Sequence, residues 1–88
     1  MNKTIKLDYP VSHGGTEHKE FTMRRPKVRD LKTAQKQGTS DADHETLMFA
    51  NLCEVTADVI DEMDMADYAK LQEVYQDFLS PPGKKSGK

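Results

Sequence analysis

Thr4-Ile5-Lys6-Leu7-Asp8-Tyr9 and His18-Lys19-Glu20-Phe21-Thr22-Met23-Arg24 both alternate in character along the chain. In the first stretch Ile5, Leu7 and Tyr9 point one way, and Thr4, Lys6 and Asp8 the other. In the second, Lys19, Phe21 and Met23 oppose His18, Glu20, Thr22 and Arg24. A period of two marks a half-buried strand. Pro10 and the pair Gly14-Gly15 lie between the stretches and supply turn chemistry. Two strands about such a loop form a hairpin. A lone hairpin is marginal in water, so its apolar face needs helices to cover it.

The rest of the chain offers those helices. Pro26 closes the second strand and predicts a short helix over about 27–37, with Gly38 as its C-terminal cap. Thr39-Ser40-Asp41 supplies cap residues for a second helix running to about Val55, and Asp41, Asp43 and Glu45 suit its positive N-terminal end. On its wheel Met48, Phe49, Leu52, Cys53 and Val55 fill a broad apolar arc. Asp43, His44, Asn51 and Glu54 form the polar side, and Leu47 projects from the middle of that side. An arc this wide predicts a central helix buried on several sides, or one whose edge, with Leu47, meets another chain. Thr56 caps a short helix over 57–62. Asp64 caps the last one, with Asp67 three residues on completing a capping box and Met63 and Tyr68 forming a hydrophobic staple. Tyr68, Leu71, Val74, Tyr75, Phe78 and Leu79 make one apolar stripe opposite Lys70, Glu73 and Asp77. Ser80-Pro81-Pro82 stops the helix. The expected fold is therefore α+β, an N-terminal β-hairpin followed by three to four α-helices. One domain is expected over 1–79, with a disordered basic tail over 80–88.

With 88 residues, 35% of them apolar and 32% charged, the chain buries only a thin core, which leaves part of its stability to oligomerisation or to a partner. The net charge of −2 hides a strong asymmetry. Arg24, Arg25, Lys27, Arg29, Lys32 and Lys36 face only Asp30, whereas residues 41–67 hold nine acids and no Lys or Arg. Such separation favours a directional contact, either between the two segments or with a second chain; two solvated faces are the plainer alternative. The lone Cys53 sits in an apolar run and reads as a buried structural thiol. The N-terminus carries no signal-peptide core and no stretch approaches the roughly 20 apolar residues of a membrane span, so a cytoplasmic location is expected.

Chemistry is sparse. His13, His18 and His44 do not fall at helical ligand spacing, and the acids of 58–67 place Ile60 and Met63 where a calcium loop needs ligands. Ser12-His13 lacks an orienting third group, and Gly14-Gly15 lacks the rest of a phosphate loop. No enzyme, metal or cofactor reading survives. Nucleic-acid binding is the serious rival, because the basic segment could contact phosphates. Against it, the helix after Ser40 has no basic residue and the last helix has only Lys70.

The sequence resembles the tail assembly chaperones of Mu-like, contractile-tailed bacteriophages. The match is carried by Leu52-Cys53-Glu54-Val55-Thr56-Ala57-Asp58-Val59-Ile60-Asp61-Glu62-Met63-Asp64-Met65-Ala66-Asp67-Tyr68, then Val74 through Phe78-Leu79. Met23-Arg24-Arg25-Pro26 leading to Asp30-Leu31 matches at the front. The likeness covers about residues 3–80. It departs at Cys53-Glu54, where relatives often carry Thr-Gly. The resemblance implies a non-structural phage or prophage protein that binds the tape measure protein and keeps it soluble during tail assembly. The tail tube protein and a second copy of the chain are further candidate partners. Leu47, Met48, Arg24, Arg25, Lys27 and Arg29 are the expected partner-binding residues. The alternative is a small nucleic-acid-binding regulator of phage or prophage origin.

Overall fold

The computed structural model describes residues 2–80; of the tail expected over 80–88, residues 81–88 lie outside the described residues. A β-hairpin of β1 (Asn2–His13) and β2 (Thr16–Arg24) precedes four helices: α1 (Val28–Gln37), α2 (Asp41–Cys53), α3 (Ala57–Asp61) and α4 (Met65–Leu79). This is the expected α+β arrangement. The strands pair antiparallel, and both are longer than the alternation indicates. The chain reverses at Gly14-Gly15 rather than at Pro10. Both glycines have positive φ, 59° and 81°, between the paired His13 and Thr16. Two positive φ values in a two-residue loop match the twist of a hairpin, and only glycine adopts them without cost.

Pro10 instead lies inside β1, in a bulge. Between the pairs Lys6–Glu20 and Val11–His18, the four residues from Leu7 to Pro10 oppose Lys19 alone. A proline cannot donate to a ladder and is tolerated where the ladder is broken. The bulge also corrects the expected inward face. Ile5 and Leu7 are buried, but Tyr9 is turned out to 58% exposure and Val11, at 3%, takes its place. Phe21 and Met23 complete the apolar face, with Ile5 directly opposite Phe21.

The helices cover that face as the hairpin requires. β2 lies against α2, and β1 against α3 and α4. One buried cluster draws on all six elements, from Ile5, Phe21 and Ala34 to Phe49, Leu52, Ile60, Leu71 and Phe78. Phe49 is fully buried and meets the rings of Tyr68 and Tyr75 at 5.4 and 5.7 Å. Each side chain of this size contributes roughly 1.5–3 kcal/mol on burial. The expected stripe on α4 holds except at its end, where Leu79 is 55% exposed. Ser80 closes the helix with its N–H on the Asp77 carbonyl.

The helix ends follow local chemistry, with three departures. Ser40 Oγ accepts from the Asp43 N–H, and Asp64 Oδ1 from the Ala66 N–H, as their cap positions imply. Gly38 is extended rather than left-handed, with φ −94°. It is glycine for a steric reason: a Cβ there would meet the His44 ring at 2.6 Å. α2 ends at Cys53, and Glu54 takes the left-handed conformation, φ 58°, with its N–H on the carbonyls of Ala50 and Asn51. Glycine is the residue such a cap favours, and glutamate takes it here at a cost.

The third departure is Asp67. It does not return to the Asp64 backbone to complete a box. It is fully buried, and its carboxylate accepts from the backbone N–H of Asp8 at 3.0 Å and of Tyr9 at 2.9 Å, inside the β1 bulge. Lys70 sits 3.2 Å from the same carboxylate, and also reaches the Lys6 carbonyl and Asp8. Burial pushes the Asp67 carboxyl up, but the two N–H groups and Lys70 outweigh it and hold it below the usual carboxylate range. Asp67 thus fastens α4 to the irregular part of β1, satisfying two donors that the bulge removes from the ladder.

Candidate partner-binding site

The end of β2 and the start of α1 place four basic side chains around one shallow cleft of about 360 Å³. Arg24, Arg25, Lys27 and Arg29 line it together with Asn2 and Asp30. The local fold explains how they converge. Lys27 is the N-cap of α1, and its backbone N–H donates to Asp30 Oδ2 at 2.9 Å. Asp30, 5% exposed, also receives both guanidinium nitrogens of Arg24, at 2.9 and 2.8 Å. A fork of this kind is strong and directional. It locks the last residue of β2 to the first turn of α1. The Arg24 hydrogen bonds hold the Asp30 carboxyl below its ordinary range against the effect of burial. Arg25 lies over the Phe78 ring at 5.6 Å, tying the strip to α4.

Four cations against one carboxylate leave the cleft strongly positive. Arg24 is committed to Asp30, whereas Lys27 and Arg29 are exposed. α1 extends this surface. Asp30 and Ala34 are its buried residues, so its outward side carries Val28, Lys32 and Lys36, flanked by Arg29 and Leu31. Val28 is 70% exposed and Leu31 45%. Two apolar side chains in a basic field make a surface suited to an acidic amphipathic partner.

Leu47 and Met48 are not brought to this surface. α2 is flanked by α1, α3 and β2. Met48 is buried at 5% exposure, and Leu47 is half-buried against the core. Of the expected residues, Arg25, Lys27 and Arg29 are exposed and Met48 is not. The wide apolar arc of α2 reflects burial on several sides. Val28 and Leu31 are not among the residues expected from the sequence, yet both stand exposed beside the strip. The available signal was Asp30: an acid at the third helical position, six residues after an arginine closing a strand, marks the inward side.

Cys53 is a buried thiol, pushed by burial to about 12. The Tyr68 hydroxyl donates to Glu45 Oε1 at 2.6 Å, and burial together with that carboxylate raises it. Among the described residues no group of His, Cys, Asp or Glu is placed to hold a metal ion, and no helix is long and apolar enough to cross a membrane.

No curated protein and no solved structure matches the chain. Residues 4–80, from the first strand to the cap of α4, match the family model described as "Phage tail assembly chaperone proteins, E, or 41 or 14". The chain thus belongs to the phage tail assembly chaperone family.

Proposed function

We propose that this chain binds the tape measure protein of a phage tail and keeps it soluble until the tail tube protein surrounds it. In this reading it works in the host cytoplasm and is absent from the finished virion. Membership of the tail assembly chaperone family over residues 4–80 carries the proposal. The surface around α1 supports it. A protein that holds an aggregation-prone helical client needs exposed apolar side chains and enough charge to stay soluble itself. Val28 and Leu31 supply the first, and Arg25, Lys27 and Arg29 the second. Arg24 acts by positioning the strip through Asp30. Leu47 and Met48 support it from beneath the surface by holding α2 in place.

The test is co-expression of the tagged chain with the tape measure protein, reading the soluble fraction and what elutes with the tag. The tape measure protein is expected to become soluble and to co-elute. Arg25→Glu with Arg29→Glu is expected to reduce capture at unchanged circular dichroism. A tape measure protein that stays insoluble and uncaptured overturns the reading. A salt-sensitive shift of nucleic acid in its place would move the function to a small nucleic-acid-binding regulator acting through the same strip. Presence of the chain in purified virions would overturn its non-structural role.

A further inference from the structure

Most acids of α2 and α3 take no part in holding the fold together through charge. Among the described residues the ion pairs are Lys3–Asp77, Arg24–Asp30, Lys70–Asp8 and Lys70–Asp67. None of them draws on an acid between Asp41 and Asp64. Asp61, Glu62 and Asp64 are exposed.

These acids frame a second cleft, of about 240 Å³, where α2, α3 and α4 meet. Ile60, Met63, Met65 and Tyr68 form its apolar wall, Glu45 and Asp61 its carboxylates, and no Lys or Arg lines it. Met65 is 74% exposed. Glu45 is fixed in place by the Tyr68 hydroxyl and by Gln72 Nε2 at 3.1 Å. Burial first, then the Glu45 hydrogen bond and the charges of Glu45 and Asp61, raise the Tyr68 hydroxyl, so both carboxylates bear on one spot. The cleft is smaller than the roughly 300–1,000 Å³ of a small-molecule site and suits one anchoring side chain of a larger partner. The thioethers of Met63 and Met65 adapt to anchors of different shape. A carboxylate rim without a cation attracts Lys and Arg and repels acids. A lysine or arginine one helical turn from the anchor lays its aliphatic stem on the wall and its charge on the rim.

This cleft and the basic strip share no lining residue. The cleft uses the first half of α2, whereas the strip lies by its other end, where Arg24 feels the charge of Glu54, the residue capping that helix. The stretch from Glu45 to Glu54 spans about 14 Å. We propose that the α2–α3–α4 cleft is a second client site, which takes a basic helical segment and anchors one of its apolar side chains between Met63 and Met65. The source of the segment rests on the chaperone reading; its chemistry rests on the cleft alone. The face of α1 selects acidic stretches and the cleft basic ones, so a client of mixed charge is held at two separate points.

Amide chemical shifts of the purified full chain, titrated with a Leu/Lys peptide of about 18 residues at helical spacing, test it. A Leu/Glu peptide of the same spacing is the control. The Leu/Lys peptide is expected to shift Asp61, Met63 and Met65, and to bind more weakly at ~500 mM than at ~50 mM salt. The Leu/Glu peptide is expected to leave those three unmoved. Asp61→Lys with Glu62→Lys should weaken the Leu/Lys affinity about tenfold. Both positions lie at the end of α3, where lysine suits the helix dipole, so this variant should fold. Should circular dichroism show otherwise, Met65→Ser, at an exposed position, carries the same titration through the apolar wall. Leu/Lys shifts confined to other residues, Leu/Glu binding in the cleft, or folded variants that bind like wild type overturn the proposal. So do shifts at Asp61, Met63 and Met65 on concentrating the chain alone, which give the cleft to a second copy. The titration uses no tape measure protein, so its failure is distinct from failure of the co-expression test.

Discussion

Replacing Asp67 with asparagine isolates the contact that joins the two ends of this fold. The side chain keeps its shape, and one oxygen can still accept from one backbone N–H of the β1 bulge. The amide nitrogen then faces the other N–H, donor against donor, in a site with no solvent access. Hydrogen bonds to a charged group contribute about 1.5–3 kcal/mol each, and a buried donor left unsatisfied costs about 1–3 kcal/mol. One bond weakened and one lost give an expected destabilisation of about 2–4 kcal/mol. A chain of this length has roughly 4–13 kcal/mol in all. At about 4–8 °C per kcal/mol, the melting temperature should fall by roughly 8–32 °C. Urea unfolding followed by far-ultraviolet circular dichroism, at pH 7 and with the slope checked for constancy, measures it. The pH dependence provides a second reading. The Asp67 carboxyl is held below its ordinary range, so its contribution is complete above about pH 4 and is lost as pH falls through the depressed folded value. Asp67→Asn should therefore flatten the acid limb of wild-type stability. An exposed capping-box member would cost only a few tenths of a kcal/mol. A loss below about 0.5 kcal/mol, with the acid limb unchanged, would refute the anchoring role.

Two further stability outcomes follow from the site. Arg24→Met removes the fork on Asp30 and leaves a buried carboxylate with the Lys27 N–H as its remaining hydrogen bond, so urea unfolding should show a loss of about 1–3 kcal/mol. The double change with Asp30→Asn should be less than additive, because both remove one interaction. Glu54→Gly should stabilise the chain by about 0.5–1 kcal/mol. It relieves a left-handed residue that costs about 1–2 kcal/mol, offset in part by glycine's greater unfolded-state freedom. A thermal melt at or below the wild-type temperature would contradict that account.

Arg24 and Asp30 fix where β2 gives way to α1, and so fix where Val28 and Leu31 emerge. The exposed apolar side chains of α1 are therefore held on a rigid support, not on a loose turn. In the proposed function this support presents one oriented patch to the client, with charge that keeps the patch from acting as a general adhesive.

What the sequence alone determined is what nearest neighbours decide. Alternation over Thr4–Tyr9 and His18–Arg24 carries the hairpin, since a period of two survives in any half-buried strand. The stripe from Tyr68 to Phe78, the cap at Ser40 and the cap at Asp64 carry α2 and α4, because caps and helical periodicity act within one or two turns. The tertiary structure decided everything that depends on a distant partner. The bulge exchanges Tyr9 for Val11 on the inward face. Asp67 leaves its local box because the donors it serves lie 58 and 59 residues away. α1 turns Asp30 and Ala34 inward and Leu31 outward, because the Arg24 fork fixes its rotation more strongly than the burial of one leucine. A buried carboxylate must be paired, whereas an exposed leucine is tolerated, and that inequality oriented α1 and the basic face it turns to solvent.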